Sequence, residues 1–357
     1  MINIVSPINQ LGYGITGLNI VKSLSKLTSV ALWPIGQPQV TTQEDSDIIS
    51  ECIRNNQMPD FNAPCIKIWH QHDMTQFVGD GVKAGFPIFE LDRFNKVEKH
   101  HLNYLDHIFV CSEWAKNVIL YNLNIDQSKI TVIPLGVDLD IFKPSEFPKN
   151  CETTRFFNCG KWEIRKGHDV LVEVFNTAFD IKDDVELVLM CENPFYTPEE
   201  SKKWEDLYKN SKLGDKITII PRQPTQQQVY NIMKDMHCGI FPSRAEGWNL
   251  ELLEMMACGK PVITTKYSAH TEFCNETNST LIPIDKYEPA YDNKWFHGQG
   301  NWAKLGQHQK DLMAQAMRDI HKSRQSSTLQ INRSGIQTAN NFTWSNSAKK
   351  IIQSIQQ

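Results

Sequence analysis

No run of apolar residues in this 357-residue chain approaches the roughly 20 needed to cross a bilayer as a helix, so the sequence offers no membrane-spanning helix. The opening Met1-Ile-Asn-Ile-Val has neither the basic stretch nor the apolar core of a secretory leader, and none is expected. An excess of positive charge is missing too. With a net charge of −4 and a pI near 6.3, the chain lacks the basic stripe of a nucleic-acid binder. The nine cysteines (Cys52, Cys65, Cys111, Cys151, Cys159, Cys191, Cys238, Cys258 and Cys274) are odd in number and include no Cys-x-x-Cys pair, which argues against a disulfide framework or a zinc site. Several lie in apolar runs such as Cys238-Gly-Ile-Phe, where a reduced thiol packs as a small hydrophobe. A reducing cytoplasm is the expected location. No internal repeat of the roughly 20–50-residue kind is visible.

What is present is ordinary globular composition, 40% hydrophobic and 22% charged, at a length that suggests two domains. Short β-rich runs alternate with segments of helical spacing. The first set of strands is read at Ile2–Val5, Val30–Trp33, Cys65–Trp69, Pro87–Glu90, Ile108–Cys111 and Ile130–Ile133. The pattern breaks at Phe142-Lys-Pro-Ser-Glu-Phe-Pro-Lys-Asn, where two prolines disfavour any regular element. It restarts with strands at Arg155–Asn158, Val185–Met190, Ile217–Ile220, Gly239–Phe241 and Val262–Thr264. The alternation predicts an α/β fold of two doubly wound parallel-sheet domains, 1–148 and 149–340. Such sheets bind ligands beyond the carboxyl ends of their strands, which places the expected site in a cleft between the loops of two facing domains.

The densest string is Phe241-Pro-Ser-Arg-Ala-Glu-Gly-Trp-Asn-Leu-Glu-Leu-Leu-Glu-Met-Met-Ala-Cys-Gly-Lys-Pro-Val-Ile-Thr. A strand ends, a loop carries Glu246 and Gly247, and a helix starts near Asn249 and stops at Gly259-Lys-Pro. The unpaired amides around Gly247, Trp248, Asn249 and Leu250 form a partly positive seat for sugar hydroxyls or a diphosphate. Glu254 lies about one and a half turns into the helix, so Glu246 and Glu254 bracket the loop and could hold two parts of one ligand.

This string resembles the signature of the retaining glycosyltransferases of family 4, which have the GT-B fold of two Rossmann-like domains. The resemblance implies that Glu246 contacts the donor sugar and Glu254 the nucleotide ribose. A second string, Asn158-Cys-Gly-Lys-Trp-Glu-Ile-Arg-Lys-Gly-His-Asp-Val-Leu, is similar to the family's diphosphate-binding motif, with Lys161 at its arginine position and Lys166 at its lysine position. Cations are wanted there because charge builds on the leaving diphosphate. Lysine cannot fork two parallel hydrogen bonds as arginine does, and Arg165 is the candidate to compensate at Lys161. Asn249 stands where the family carries glycine, which leaves donor preference open.

Phe109-Val-Cys-Ser-Glu-Trp and Ile130-Thr-Val-Ile-Pro-Leu-Gly-Val-Asp resemble the segments that close the family's first domain. In Trp69-His-Gln-His-Asp the resemblance points to His72 as the histidine that reaches the donor sugar. Read as a zinc pair, His70 and His72 fail, since alternating residues at a strand end face opposite ways. Gly12-Tyr-Gly-Ile-Thr-Gly resembles the family's glycine-rich loop near the phosphates, which makes Gly14 a donor-side candidate. Arg222, after the strand ending at Ile220, is placed beside the base. The tail Phe342-Thr-Trp-Ser resembles the family's last segment, which would return the 341–357 helix to the first domain. Tyr287 to Trp302 is unusually aromatic and has no family counterpart; an acceptor-side or lid loop and simple packing both fit.

The implied activity is transfer of a sugar from a nucleotide-diphosphate donor to a hydroxyl of a glycan or lipid-linked acceptor, with no metal and no further cofactor. Peripheral membrane contact is compatible with it. Three alternatives stay open: a nucleotide-sugar epimerase on the same fold, a non-catalytic sugar-nucleotide binder, and a transferase acting on modified nucleic-acid bases. The acidic balance disfavours the last.

Overall fold

The computed structural model describes residues 1–149 and 151–355, which divide into two units: Met1–Asp138 together with the chain from Asn341 onward, and Leu139–Asn340. The first contains β1 (Ile2–Ser6), α1 (Gly12–Ser25), β2 (Val30–Pro34), α2 (Gln43–Asn55), β3 (Cys65–Lys67), β4 (Lys83–Gly85), α3 (Lys96–Asn103), β5 (His107–Val110), α4 (Glu113–Asn122) and β6 (Ile130–Val132). Its six strands run parallel in the order β2-β1-β3-β4-β5-β6. All five residues of β1 are buried, as a strand covered by helices on both faces requires.

The second unit contains β7 (Thr154–Gly160), α5 (His168–Ala178), β8 (Val185–Cys191), α6 (Pro198–Lys209), β9 (Ile217–Ile220), α7 (Gln226–Met233), β10 (Cys238–Phe241), α8 (Leu250–Ala257), β11 (Val262–Thr265), α9 (His270–Phe273) and β12 (Thr280–Ile282). These strands form a second parallel sheet in the order β12-β11-β10-β7-β8-β9. The antiparallel hairpin β13 (Tyr287–Tyr291) and β14 (His297–Ala303) follows, then α10 (Gln307–Gln325) and α11 (Arg333–Asn341). The last helix, α12 (Trp344–Ile355), belongs to the first unit: Val137 bridges to Thr343, Ser347 Oγ donates to the Pro134 carbonyl at 2.6 Å, and α12 packs on α1.

The division falls at Asp138, ahead of the boundary at 148 read from the prolines. Residues 139–148 are tied to the second unit instead. The Ser145 amide donates to the Cys258 carbonyl, and the buried Lys260 ammonium donates to the carbonyls of Ser145 and Glu146 at 3.3 and 3.1 Å. Three further readings need correction. The strand expected at Pro87–Glu90 is β4 at Lys83–Gly85, which pairs with both β3 and β5. Helix α2 fills a stretch left unassigned, started by Thr42, whose side chain accepts the Asp45 amide. The aromatic segment after Lys286 is a hairpin, anchored by Trp302, which is 1% exposed.

All nine cysteines are free thiols. Burial pushes Cys52 and Cys65 up to about 11 and Cys258 up to about 12, and raises Cys191, Cys238 and Cys274 as well. These native thiols keep protons that the unfolded chain releases from about 9 upward. Their contribution is therefore complete below that pH and is lost as pH rises through 9 to 12. A urea midpoint that falls between about pH 8 and about pH 10.5, with a shallower fall in Cys238→Ala, is the expected result. Equal slopes in the two proteins would refute it.

Candidate functional site

Ligands of open parallel sheets bind where the strand order reverses. In the second sheet that point lies between β10 and β7, since β7-β8-β9 runs outward one way and β10-β11-β12 the other. Three loops leave the carboxyl ends of its central strands: 161–167 after β7, 242–249 after β10 and 266–269 after β11. They are bonded to one another. The Arg244 amide donates to the Arg165 carbonyl at 2.7 Å, and the Glu246 amide to Ser268 Oγ at 2.8 Å. Gly167 makes the first approach possible: its φ is +76°, and a Cβ there would collide with the Pro242 carbonyl.

These loops hold a chain of alternating charges, buried except at the partly exposed Lys161. Lys161 Nζ lies 2.7 Å from Glu163, Arg165 Nη2 lies 2.7 Å from the other Glu163 oxygen, and Arg165 Nη1 and Lys166 Nζ reach Glu246 at 2.7 and 3.1 Å. Ser243 Oγ also donates to Glu246 at 2.8 Å. The lysine stem lies across Gly160, within 2.9 Å of where a Cβ would stand. Burial alone would raise the Glu246 carboxyl and lower the Lys166 ammonium. Arg165 and Lys166 nevertheless hold Glu246 well below the usual carboxylate range, and Glu246 with Glu251 holds Lys166 above the usual lysine value. Three cations against two carboxylates leave the string one positive charge in surplus, before the acidic Glu251 and Glu254 of α8 are considered.

Of the residues expected to bind a donor, Lys161, Arg165, Lys166 and Glu246 are thus brought together, with Gly247, Trp248, Asn249 and Leu250 following on the same buried loop. Arg165 is less available than its sequence position suggests, since Nε and both terminal nitrogens are engaged by Glu163, Glu246 and the Ala245 carbonyl. Asn249 adopts φ +87° without glycine, a region asparagine tolerates. Its side chain turns onto its own helix: Oδ1 accepts the Leu252 amide at 3.2 Å and Nδ2 donates to His270 Nε2 at 2.9 Å. That network assigns the proton of His270 to Nδ1, which donates to the Thr265 carbonyl, and burial pushes this histidine down to about 4. Trp248 is 3% exposed and packs on Phe273. Glu254 is buried on α8 beside the Cys159 and Cys258 thiols, and Arg222 is exposed after β9, its amide donating to Glu192.

Sequence reasoning missed Glu163, Ser243, Arg244 and His270. Arg244 is 8% exposed; it donates to Asp169 at 2.7 and 2.8 Å, to Glu288 of β13 at 2.9 Å and to the Ile164 carbonyl at 2.5 Å, while its own carbonyl accepts the Ala303 amide. Its neighbour Glu246 carried the legible signal. An acid beside basic residues, as at Glu163, reads equally well as a solvated turn.

In the first unit the strand order reverses between β1 and β3, and here too the expected residues follow those strands. Tyr13 of α1 packs its ring on Trp69 and His70 and exchanges hydrogen bonds with the Ile88 backbone. Gly14 is accounted for by its own chain, because a Cβ would strike Asn9. The opposed orientation expected of His70 and His72 is wrong: the rings stack at 5.2 Å and 15°. Residues two apart on a strand share a face, so alternation never opposed these two rings, and β3 in any case ends at Lys67. Among the described residues no group of three His, Cys, Asp or Glu side chains could hold a metal. His72 is exposed, and Asp73 is engaged by the buried Lys67, whose Nζ lies 3.3 Å from it and donates to the Thr75 carbonyl at 2.8 Å.

Two family profiles match the chain: "Glycosyl transferases group 1" over residues 153–292 and "Glycosyltransferase Family 4" over residues 61–141. The chain belongs to the family 4 glycosyltransferases, and its two parallel-sheet units are those of the GT-B fold. It is 22% identical over 204 residues to D-inositol 3-phosphate glycosyltransferase of Mycobacteroides abscessus, covering 55% of this chain and 45% of that protein. It is 30% identical over 151 residues to a probable sucrose-phosphate synthase of Thermosipho melanesiensis, covering 41% and 34%. The matches thus span less than half the length of those two relatives. Two solved structures are alike over nearly their whole length. The sucrose-phosphate synthase of Thermosynechococcus elongatus superimposes with a TM-score of 0.71 at 16% identity, covering 99% of this chain and 97% of that one. Anabaena HepE in complex with UDP-glucose gives 0.69 at 12%, covering 99% of each. Likeness at such identity speaks to fold. No helix among the described residues is long and apolar enough to cross a membrane.

Proposed function

We propose that this protein transfers a glycosyl group, with retention at the anomeric carbon, from a nucleotide-diphosphate sugar to a hydroxyl of a glycan or lipid-linked acceptor. The observation that carries the reading is the cluster of buried Arg165, Lys166 and Glu246, edged by the partly exposed Lys161, at the reversal point of the second sheet, beside the N-terminus of α8. A desolvated ammonium that stays protonated suits charge developing on a leaving diphosphate. The amides at the start of α8 add a second positive element. The UDP-glucose complex of HepE, a protein of the same fold, supports a nucleotide-sugar donor.

In this reaction the bond between the anomeric carbon and the diphosphate oxygen breaks and its electron pair leaves with the diphosphate. The acceptor oxygen attacks from the same face, and its proton passes to the departing phosphate oxygen. Lys166 and Lys161 would stabilise that leaving group, Glu246 would orient the donor sugar and Glu254 would hold the ribose. Side-chain cations take the part a divalent ion plays elsewhere, so turnover is expected to survive chelation.

A thermal-shift panel of UDP-, GDP- and ADP-sugars tests the reading. A donor at about a hundred times its Kd adds about 2.7 kcal/mol of stability. Stabilisation by at least one sugar nucleotide, and release of its nucleotide once an acceptor is supplied, is the expected outcome. No stabilisation by any of them would overturn it, and free epimerised sugar nucleotide would replace it with an isomerase.

A further inference from the structure

The aromatic hairpin is unused by the site so far. Tyr287, Tyr291 and Trp295 recur every fourth residue along it and are 58%, 53% and 48% exposed. On β13 the alternation is clean: Glu288 and Ala290 turn inward, while Tyr287, Pro289 and Tyr291 face out. Opposite Pro289 and Tyr291 stand Asn301 and His297 of β14, so hydrogen-bonding groups share the outward face with the rings.

The tip is held rather than loose. Asp292 Oδ1 accepts the amides of Lys294, Trp295 and Phe296 at 2.9, 2.8 and 2.9 Å, and Phe296 packs on the buried Trp302 at 4.8 Å. Lys294 crosses to α6, reaching both oxygens of Glu200 at 2.6 and 2.7 Å and lying over the Tyr196 ring at 4.3 Å. The docked tip brings Trp295 to 5.9 Å from Phe195, itself 52% exposed. Phe195 in turn lies under Lys161 Nζ at 5.7 Å, and that lysine opens the charged string of the candidate site. At the other end, Arg244 binds Glu288 and the Ala303 amide and runs two residues later into Glu246. The platform therefore starts one side chain from the cluster and is bolted to it at its base.

We propose that this face is an acceptor-saccharide subsite, in which Trp295 and Phe195 stack on the apolar C–H faces of sugar rings and Tyr287 and Tyr291 extend the contact along the hairpin. Tyrosine and tryptophan offer large amphipathic area at small entropic cost, and exposed rings interleaved with amides suit a ligand that is apolar on its faces and hydroxylated at its edges. An anionic lipid surface fits less well, since Lys294, the cation at the tip, is neutralised by Glu200. The proposal rests on the transferase reading, whose acceptor class it narrows to a saccharide.

The test compares the full chain with Trp295→Ala and Phe195→Ala on a glycan microarray, with titration of the best-bound oligosaccharide followed by tryptophan fluorescence. Vesicles of phosphatidylcholine with phosphatidylglycerol and the sugar-nucleotide thermal shift serve as parallel arms. We expect saccharide binding weakened at least about tenfold in both variants, with the sugar-nucleotide shift unchanged. Any of three results would overturn the subsite while leaving the donor reading intact: a wild-type chain stabilised by a sugar nucleotide but binding no glycan, variants that bind glycans as the wild type does, or vesicle binding that Trp295→Ala abolishes while glycans are ignored. Loss of the sugar-nucleotide shift in the wild type would instead strike the donor reading, whatever the array shows.

Discussion

Truncating Glu246 to alanine is expected to lower the stability of the protein by about 3–5 kcal/mol, the cost of removing one partner from a buried ion pair. The carboxylate accepts from Arg165, Lys166 and Ser243, and all three contacts lie at or below 3.1 Å in a loop closed to solvent. Arg165 keeps Glu163, at 2.7 and 3.0 Å, so the group left without a counter-charge is chiefly Lys166. Glu246→Gln should fall between, because the amide fills the space and still accepts while the charge is gone. A urea midpoint that drops with the m-value unchanged is the signature. The sign with pH also follows. Glu246 is held below its ordinary value of 4.5, so its contribution is complete above that value and disappears only as pH falls through the depressed native one. At mild acidity the wild type should still exceed Glu246→Gln in stability. A Glu246→Ala midpoint within about 0.5 kcal/mol of wild type, the range of an ordinary surface change, would show that the cluster is not a buried network.

Much of this cluster was legible as residue types and none of it as pairing. The strand-loop-helix rhythm around Phe241 to Cys258 fixes that Glu246 follows a strand and that Asn249 caps a helix, because apolar periodicity and the Gly-x-Pro stop are local signals. That Glu246 is held by Arg165 and Lys166, some eighty residues earlier, depends on β10 lying next to β7 in the sheet. Strand order is a long-range property, and periodicity carries no record of it. The stacking of His70 on His72 escaped for the opposite reason: a local rule was misapplied, since residues two apart on an extended chain share a face rather than oppose each other. Helix α2 was passed over because its stretch is polar, with Ile49 and Cys52 among the few side chains it buries. The hairpin was missed because β13 alternates over only five residues, while β14, interrupted by Gly298 and Gly300, shows no apolar period of two.

Lys166→Ala is expected to cut kcat/KM by roughly 30–150-fold, the equivalent of 2–3 kcal/mol of transition-state stabilisation from a charged hydrogen bond in a desolvated site. The same substitution should disturb folding less than Glu246→Ala does, since Glu246 retains Arg165 and Ser243 and no cation is stranded. The two variants therefore separate what the ion pair does for the fold from what the ammonium does for the reaction. In the free protein Lys166 Nζ is satisfied by Glu246 at 3.1 Å; a diphosphate entering beside it would share that ammonium, and the negative charge of Glu246 would limit how tightly the ground-state donor is held. As the glycosidic bond breaks, the diphosphate gains charge and Glu246 does not, so the share going to the leaving group grows. The loss in Lys166→Ala should accordingly appear in kcat more than in KM for the donor, read from nucleotide release with acceptor saturating. An unchanged kcat/KM would remove Lys166 from the reaction and leave it a partner of Glu246 in the fold alone.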